Sequence, residues 1–193
     1  MNIDNTRSFR FEDEDEAKTV IIKEILDPSY GCYLWPSSSA LAEYIWREKD
    51  LFRDKTILEL GAGTSLPGFL CALLSPNNHV ILTDRSDVPQ ILENIKRAAE
   101  LNGIEAAYEN NNDDDIEKRV WIRGLKWGEF DERGLFRLLD DVEKLGRHVD
   151  WILGSDTFYD PKDFEDLIST VAYILTYHAP PHTKFITSYQ ERR

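Results

Sequence analysis

Residues 57–68, Ile57-Leu-Glu-Leu-Gly-Ala-Gly-Thr-Ser-Leu-Pro-Gly68, together with Val80-Ile-Leu-Thr-Asp84, decide the fold. The first stretch is a short apolar strand that runs into a glycine turn and opens a helix. The second is another apolar strand, ending in a carboxylate 21 residues after Gly63. This order lets backbone approach a ligand at Gly61 and Gly63 while Asp84 reaches the two hydroxyls of a ribose. A dinucleotide fingerprint requires a third glycine at position 66, where the chain has Leu66, and Gly68 falls too late. Leucine there packs the helix against the sheet and obstructs a pyrophosphate. The Gly-Lys-Ser/Thr of a phosphate-binding loop is absent, and a nucleophile elbow would need its second glycine one residue earlier than Gly68. The remaining pattern, Glu-x-Gly-x-Gly followed by an acid at the end of the next strand, points to a nucleoside.

Outward from this core, strand and helix alternate with short connections from residue 56, as in a doubly wound, mostly parallel α/β sheet. Strands are expected over Thr56–Leu60, His79–Thr83, Arg119–Trp127, Asp150–Leu153 and Lys184–Tyr189. Helices are expected over Leu66–Leu74, Pro89–Leu101, about Arg133–Leu145, and from Pro161 onward behind an Asp160 cap. Upstream, Thr19–Ile25 is β-rich, and a helix from about Ser37 to Glu48 has serines placed to cap its exposed amides. Residues 1–18 carry the acidic run Glu12–Glu16 with little to bury and read as a flexible arm, leaving 19–193 as a single domain. Tyr108–Lys118 reads as a polar surface loop.

Composition narrows the function classes. The 41% of hydrophobic residues supplies a core, and no apolar run approaches the length of a membrane span. Cys32 and Cys71 are too few for a disulfide framework, and His79, His148, His178 and His182 have no metal-ligand spacing, so no metal is expected. A reducing compartment, cytosol or nucleus, is the natural home. The net charge of −13 disfavours nucleic acid and suits a basic protein partner, although an acidic surface also serves solubility alone.

In a parallel sheet ligands sit beyond the carboxyl ends of the strands, so those ends carry the chemistry. They are Glu59-Leu-Gly61, Asp84, Leu125-Lys-Trp127-Gly128 and Gly154-Ser155-Asp156-Thr-Phe-Tyr159. With Trp35-Pro-Ser ahead of a helix, these segments resemble methyltransferase family 16, from about Tyr33 to Arg193. That family groups lysine methyltransferases with related protein methyltransferases. Its acid-x-x-Tyr/Phe motif is matched by Asp156 and Tyr159.

The resemblance implies a Rossmann-like class I methyltransferase fold with S-adenosyl-L-methionine as cofactor. Gly61, Ala62 and Gly63 would lie under its methionine part, with Glu59 bracing the turn or its ammonium. Asp84 would take the ribose, Trp127 and Ser155 would flank the adenine and sulfonium region, and Trp35 would close the pocket. The fold usually continues with another helix and an antiparallel strand pair, so the chain reads as truncated, with a less protected sheet edge. Asp156 and Tyr159 are the catalytic candidates, since a carboxylate holds a cationic acceptor and in-line methyl transfer depends on alignment and charge placement. Arginine in a histone is the implied acceptor and lysine the alternative. A non-catalytic cofactor-binding module is a further reading, and a nicotinamide oxidoreductase is disfavoured by Leu66.

Overall fold

The computed structural model describes residues 5–25, 32–108 and 117–191. Among the described residues eight strands and five α-helices follow one another as β1 (Asn5–Glu12), β2 (Ala17–Glu24), α1 (Pro36–Arg47), β3 (Thr56–Leu60), α2 (Leu66–Leu74), β4 (His79–Asp84), α3 (Pro89–Leu101), β5 (Ala106–Tyr108), β6 (Val120–Gly124), α4 (Leu135–Lys144), β7 (Trp151–Ser155), α5 (Phe164–Tyr177) and β8 (Lys184–Ser188). Six strands form one sheet in the order β5-β6-β4-β3-β7-β8, every pair parallel. From β3 the chain steps to β4, then to the edge strand β5, fills β6 between the two, and returns to the other side of β3 for β7 and β8. The strand order therefore reverses between β3 and β7, and the crevice at their carboxyl ends is where such sheets bind ligands.

Strand alternation sends side chains to two separate cores. Ile57, Val80, Leu82, Ile122 and Leu153 pack with α1, α2 and α3, whereas Leu58, Ile81, Trp121 and Ile152 pack with α4 and α5. All five residues of β3 are buried, as the central strand of a doubly covered parallel sheet requires.

The amino-terminal acidic segment is not an arm. Residues 5–12 pair antiparallel with 17–24, and the acidic run is the hairpin's turn. Asp13 accepts the Asp15 and Glu16 amides at 3.0 and 3.2 Å, and Lys49 and Arg53 bind Asp13 and Glu16. Phe11, Val20 and Ile22 are buried in the core beside α2 and α3, which makes the hairpin part of the domain. The side chain of Asn102 fastens it by accepting the Ile21 N–H at 2.8 Å and donating to the Ile21 carbonyl at 2.7 Å. Acidic composition suggested solvation, but a short turn needs few apolar residues and spends its carboxylates on amides and cations.

Smaller departures have local causes. Helix α1 begins at Pro36, whose fixed φ suits the first helical position, with Trp35 at the cap; Ser37 and Ser38 are buried and make no cap hydrogen bond. The third core strand stops at Gly124, so Trp127 lies beyond it. An additional edge strand, β5, ends at Tyr108, where a loop was expected, and residues 109–116 of that loop lie outside the described residues. Asp160 accepts the Lys162 amide at 3.2 Å and caps a short 3-10 turn over Pro161–Asp163 that leads into α5.

Candidate active site

A cleft of about 540 Å³ opens at the carboxyl ends of β3, β4 and β7, within the size range of small-molecule sites. Its floor is the turn after β3. Gly61 and Gly63 both have positive φ, 62° and 54°, and Ser65 follows at 56°, reversing the chain so that α2 starts directly. A Cβ on Gly61 would stand 3.0 Å from the Trp127 indole and 3.3 Å from Thr157 Cγ2, so only glycine lets those two side chains meet the turn.

Asp84 holds that turn in place. One carboxylate oxygen accepts the Gly63 N–H and the other the Arg85 N–H, both at 2.8 Å. Burial pushes its pKa up while the two amides pull it down, and the residue still lines the cleft. Each oxygen retains a lone pair for a ligand hydroxyl. Ala62 is pinned by its own N–H to the Thr83 carbonyl at 2.9 Å.

The opposite wall comes from β7 and the segment after it. Ser155 ends the strand, and Asp156 adopts left-handed backbone at φ 55°, uncommon for a residue other than glycine. Its N–H donates to the Ser188 carbonyl at 2.7 Å, so the end of β8 props up the turn. Asp156 is buried but lines the cleft, whereas Tyr159 is half exposed at the mouth, its pKa raised chiefly by partial burial. Asp160, Asp163 and Asp166 continue the rim, with Lys162 paired to Asp160 at 2.6 Å and Lys126 also at the cleft, and Trp35 covers the remaining side.

The structure thus brings Trp35, Gly61, Ala62, Gly63, Asp84, Trp127, Ser155, Asp156 and Tyr159 to one cleft. Glu59 does not line the cleft: of the two roles expected of it, bracing the turn or meeting the cofactor's ammonium, it takes the first. It points to the α2 face of the sheet, fully buried, and accepts the Gly68 N–H at 3.1 Å, bracing the turn from behind. Burial lifts its pKa to about 8, and among the described residues Oε1 has no hydrogen-bond partner. Gly68 then has a role the sequence reading passed over. A Cβ there would fall 2.3 Å from Glu59 Oε2 and 2.3 Å from Leu82 Cδ2. It performs the close helix–strand packing of a third fingerprint glycine, two residues later than the dinucleotide spacing.

Several cleft residues were not anticipated. Tyr33 packs edge-on against Trp35 with ring centroids 5.3 Å apart, and Arg85 reaches the cleft while chelating Asp87 at 3.0 and 2.9 Å. Each neighbours a residue the motifs did identify, and that adjacency was the available signal.

The family model described as lysine methyltransferase matches residues 14–193. Histone-arginine methyltransferase METTL23 of Xenopus laevis is 40% identical over 95% of this chain and 68% of its own length. Protein N-terminal and lysine N-methyltransferase EFM7 of Cryptococcus neoformans is 28% identical over 84% of this chain and 49% of its own. Among solved structures, the Trypanosoma brucei PRMT1 enzyme-prozyme heterotetrameric complex with AdoHcy aligns with a TM-score of 0.49 and 19% identity, covering 77% of this chain and 38% of that one. With the family model spanning nearly its whole length, the chain belongs to methyltransferase family 16, the lysine-methyltransferase family of S-adenosylmethionine-dependent enzymes.

Proposed function

We propose that the chain methylates a side-chain nitrogen of arginine in a basic protein segment, with a histone tail as substrate. The observation that carries this reading is Asp156, a buried carboxylate in left-handed backbone at the switch point, facing the cleft beside an acidic rim. When bound, S-adenosylmethionine supplies an electrophilic methyl carbon on a sulfonium. The residues present suit that cofactor: the floor is stripped of Cβ atoms at Gly61 and Gly63, and Asp84 offers acceptors for a ribose. Ala62 would share the floor under the methionine part, Trp127 and Ser155 would flank the adenine and sulfonium region, and Trp35 with Tyr33 would shield the cleft from water.

Asp156 accepts from the guanidinium in a planar fork and orients one nitrogen in line, while Tyr159 lines the acceptor's entry. At the mouth Asp160 is paired with Lys162, while Asp163 and Asp166 add negative charge beside a cationic acceptor and the chain's net charge of −13 favours a basic segment. The METTL23 relative's name supports a histone arginine acceptor, and the nucleus and cytoplasm are the compartments proposed with it. No helix among the described residues is long and apolar enough to cross a membrane.

Lysine is the second reading, favoured by the family description and by the EFM7 relative. Labelled methyl transfer to a histone-tail peptide and to its counterpart with every arginine changed to lysine separates the two. Label is expected in methylarginine and should vanish with the all-lysine peptide, because an ammonium cannot reproduce the guanidinium fork. Methyl-lysine in the product would overturn the arginine assignment. Intact cofactor binding without transfer to any basic protein would leave a binding module.

A further inference from the structure

The amino ends of β7 and β8, at the opposite end of the sheet from the cleft, hold a second cluster of chemistry. His148 and Asp150 lie two residues apart in the segment entering β7, and both side chains approach the same point. His182 lies two residues before Lys184, the partner of Trp151 in the β7–β8 register, and so comes level with the same segment. His148 Nε2 is 3.5 Å and His182 Nε2 3.6 Å from the same oxygen, Asp150 Oδ1. A ligand atom from each of the three lies within 4.8 Å of the others. A tetrahedral zinc with bonds of about 2.0–2.1 Å has ligand–ligand edges of about 3.3–3.5 Å, so two edges are already close to that length.

The cluster is held by its surroundings. Asp150 Oδ2 accepts the Thr56 N–H at 2.8 Å, which fixes the carboxylate and leaves Oδ1 aimed at the histidines. Thr183 Oγ1 donates to the Val149 carbonyl at 2.8 Å, and the Lys184 N–H to the Asp150 carbonyl at 3.3 Å, binding the two loops together. The histidines are half or more exposed, so an ion has direct entry and the fourth position opens to solvent.

We propose that His148, Asp150 and His182 form a binding site for a divalent transition-metal ion of the zinc class. Two imidazoles and one carboxylate suit such an ion better than calcium or magnesium, which favour oxygen ligands alone. The ion staples edge strand β8 to β7 at the end remote from Ser188, the residue whose carbonyl supports Asp156.

The test titrates chelator-treated full-length chain with Zn²⁺ against a chromogenic chelator and, separately, with Co²⁺ as a spectroscopic probe. Expected are one zinc per chain, the strong visible bands of four-coordinate cobalt, and a Tm that rises with zinc. His148→Ala and His182→Ala should each weaken zinc by about 100-fold or more, with the cobalt bands and the Tm rise absent from the double variant. Both positions are surface positions, and circular dichroism verifies that the variants are folded. Unsaturable binding to the wild-type chain, or equal affinity in the double variant, would overturn the site. None of these readouts depends on methyl transfer, so the outcome is independent of the proposed function.

Discussion

The two ends of this sheet present polar clusters built in opposite ways. At the carboxyl ends, Gly61, Gly63 and Asp156 lie in turns that follow directly from their strands, while Asp84 ends β4 with its carboxylate held by two backbone amides. At the amino ends, His148 and His182 are 34 residues apart in sequence and meet only because β7 and β8 are neighbours. The first kind of site is written in local spacing. The second is a product of strand order.

The sharpest way to break the account of the carboxyl end is to separate its two walls. Asp156→Asn keeps shape and removes charge, so methyl transfer should fall by about 100-fold or more while S-adenosylmethionine affinity holds. Equal loss of both would move Asp156 to the cofactor side, and normal turnover would remove it from the chemistry. On the facing wall, Asp84→Ala should weaken cofactor binding by about 1.5–3 kcal/mol in titration calorimetry, the scale of hydrogen bonds to a charged group. Because Asp84 also holds the Gly63 and Arg85 amides, the variant's melting curve must accompany that measurement. Unchanged affinity in a folded variant would assign Asp84 to the turn alone.

Behind the walls, the Glu59–Gly68 contact is structural and should respond through stability. Gly68→Ala forces a methyl group against Glu59 and Leu82, and a loss of about 1–3 kcal/mol in denaturant unfolding is expected. A neutral result would mean that α2 shifts freely.

Taken per pH unit, the smallest effect is a pH dependence. The Glu59 pKa stands at about 8 in the folded chain against an ordinary 4.5, so between these values the folded state keeps a proton that the unfolded state has released. Its contribution is present at low pH and is lost as pH rises toward 8, with a slope of at most about 1.4 kcal/mol per pH unit. Glu59→Gln should flatten the unfolding free energy over that window and leave cofactor affinity unchanged. An unaltered profile would place a charged Glu59 in the folded protein.

Much of the carboxyl end was legible because the determinants are local. Apolar strands of five or six residues, a glycine turn and an acid at the next strand end locate a nucleoside-type site from local spacing alone. Glu59 kept two readings because motif membership does not say which face of a strand a side chain takes. It sits beside Gly61 in sequence, yet alternation sends it to α2. The acidic segment at 12–16 misled for a related reason, since composition cannot distinguish a solvated arm from a hairpin turn whose carboxylates meet Lys49 and Arg53.

The amino-acid sequence by itself determined the alternation of strands and helices, the glycine turn with its partner acid, and the acid-x-x-Tyr segment after β7. Each depends on interactions within a few residues or on a spacing set by one strand–turn–helix unit. Tertiary structure alone decided that the hairpin docks on α2 and α3, that Gly68 rather than position 66 provides the close packing, and that two histidines converge on Asp150. Those outcomes depend on which elements become neighbours, and that is settled by burial over the whole sheet and by no single stretch of chain.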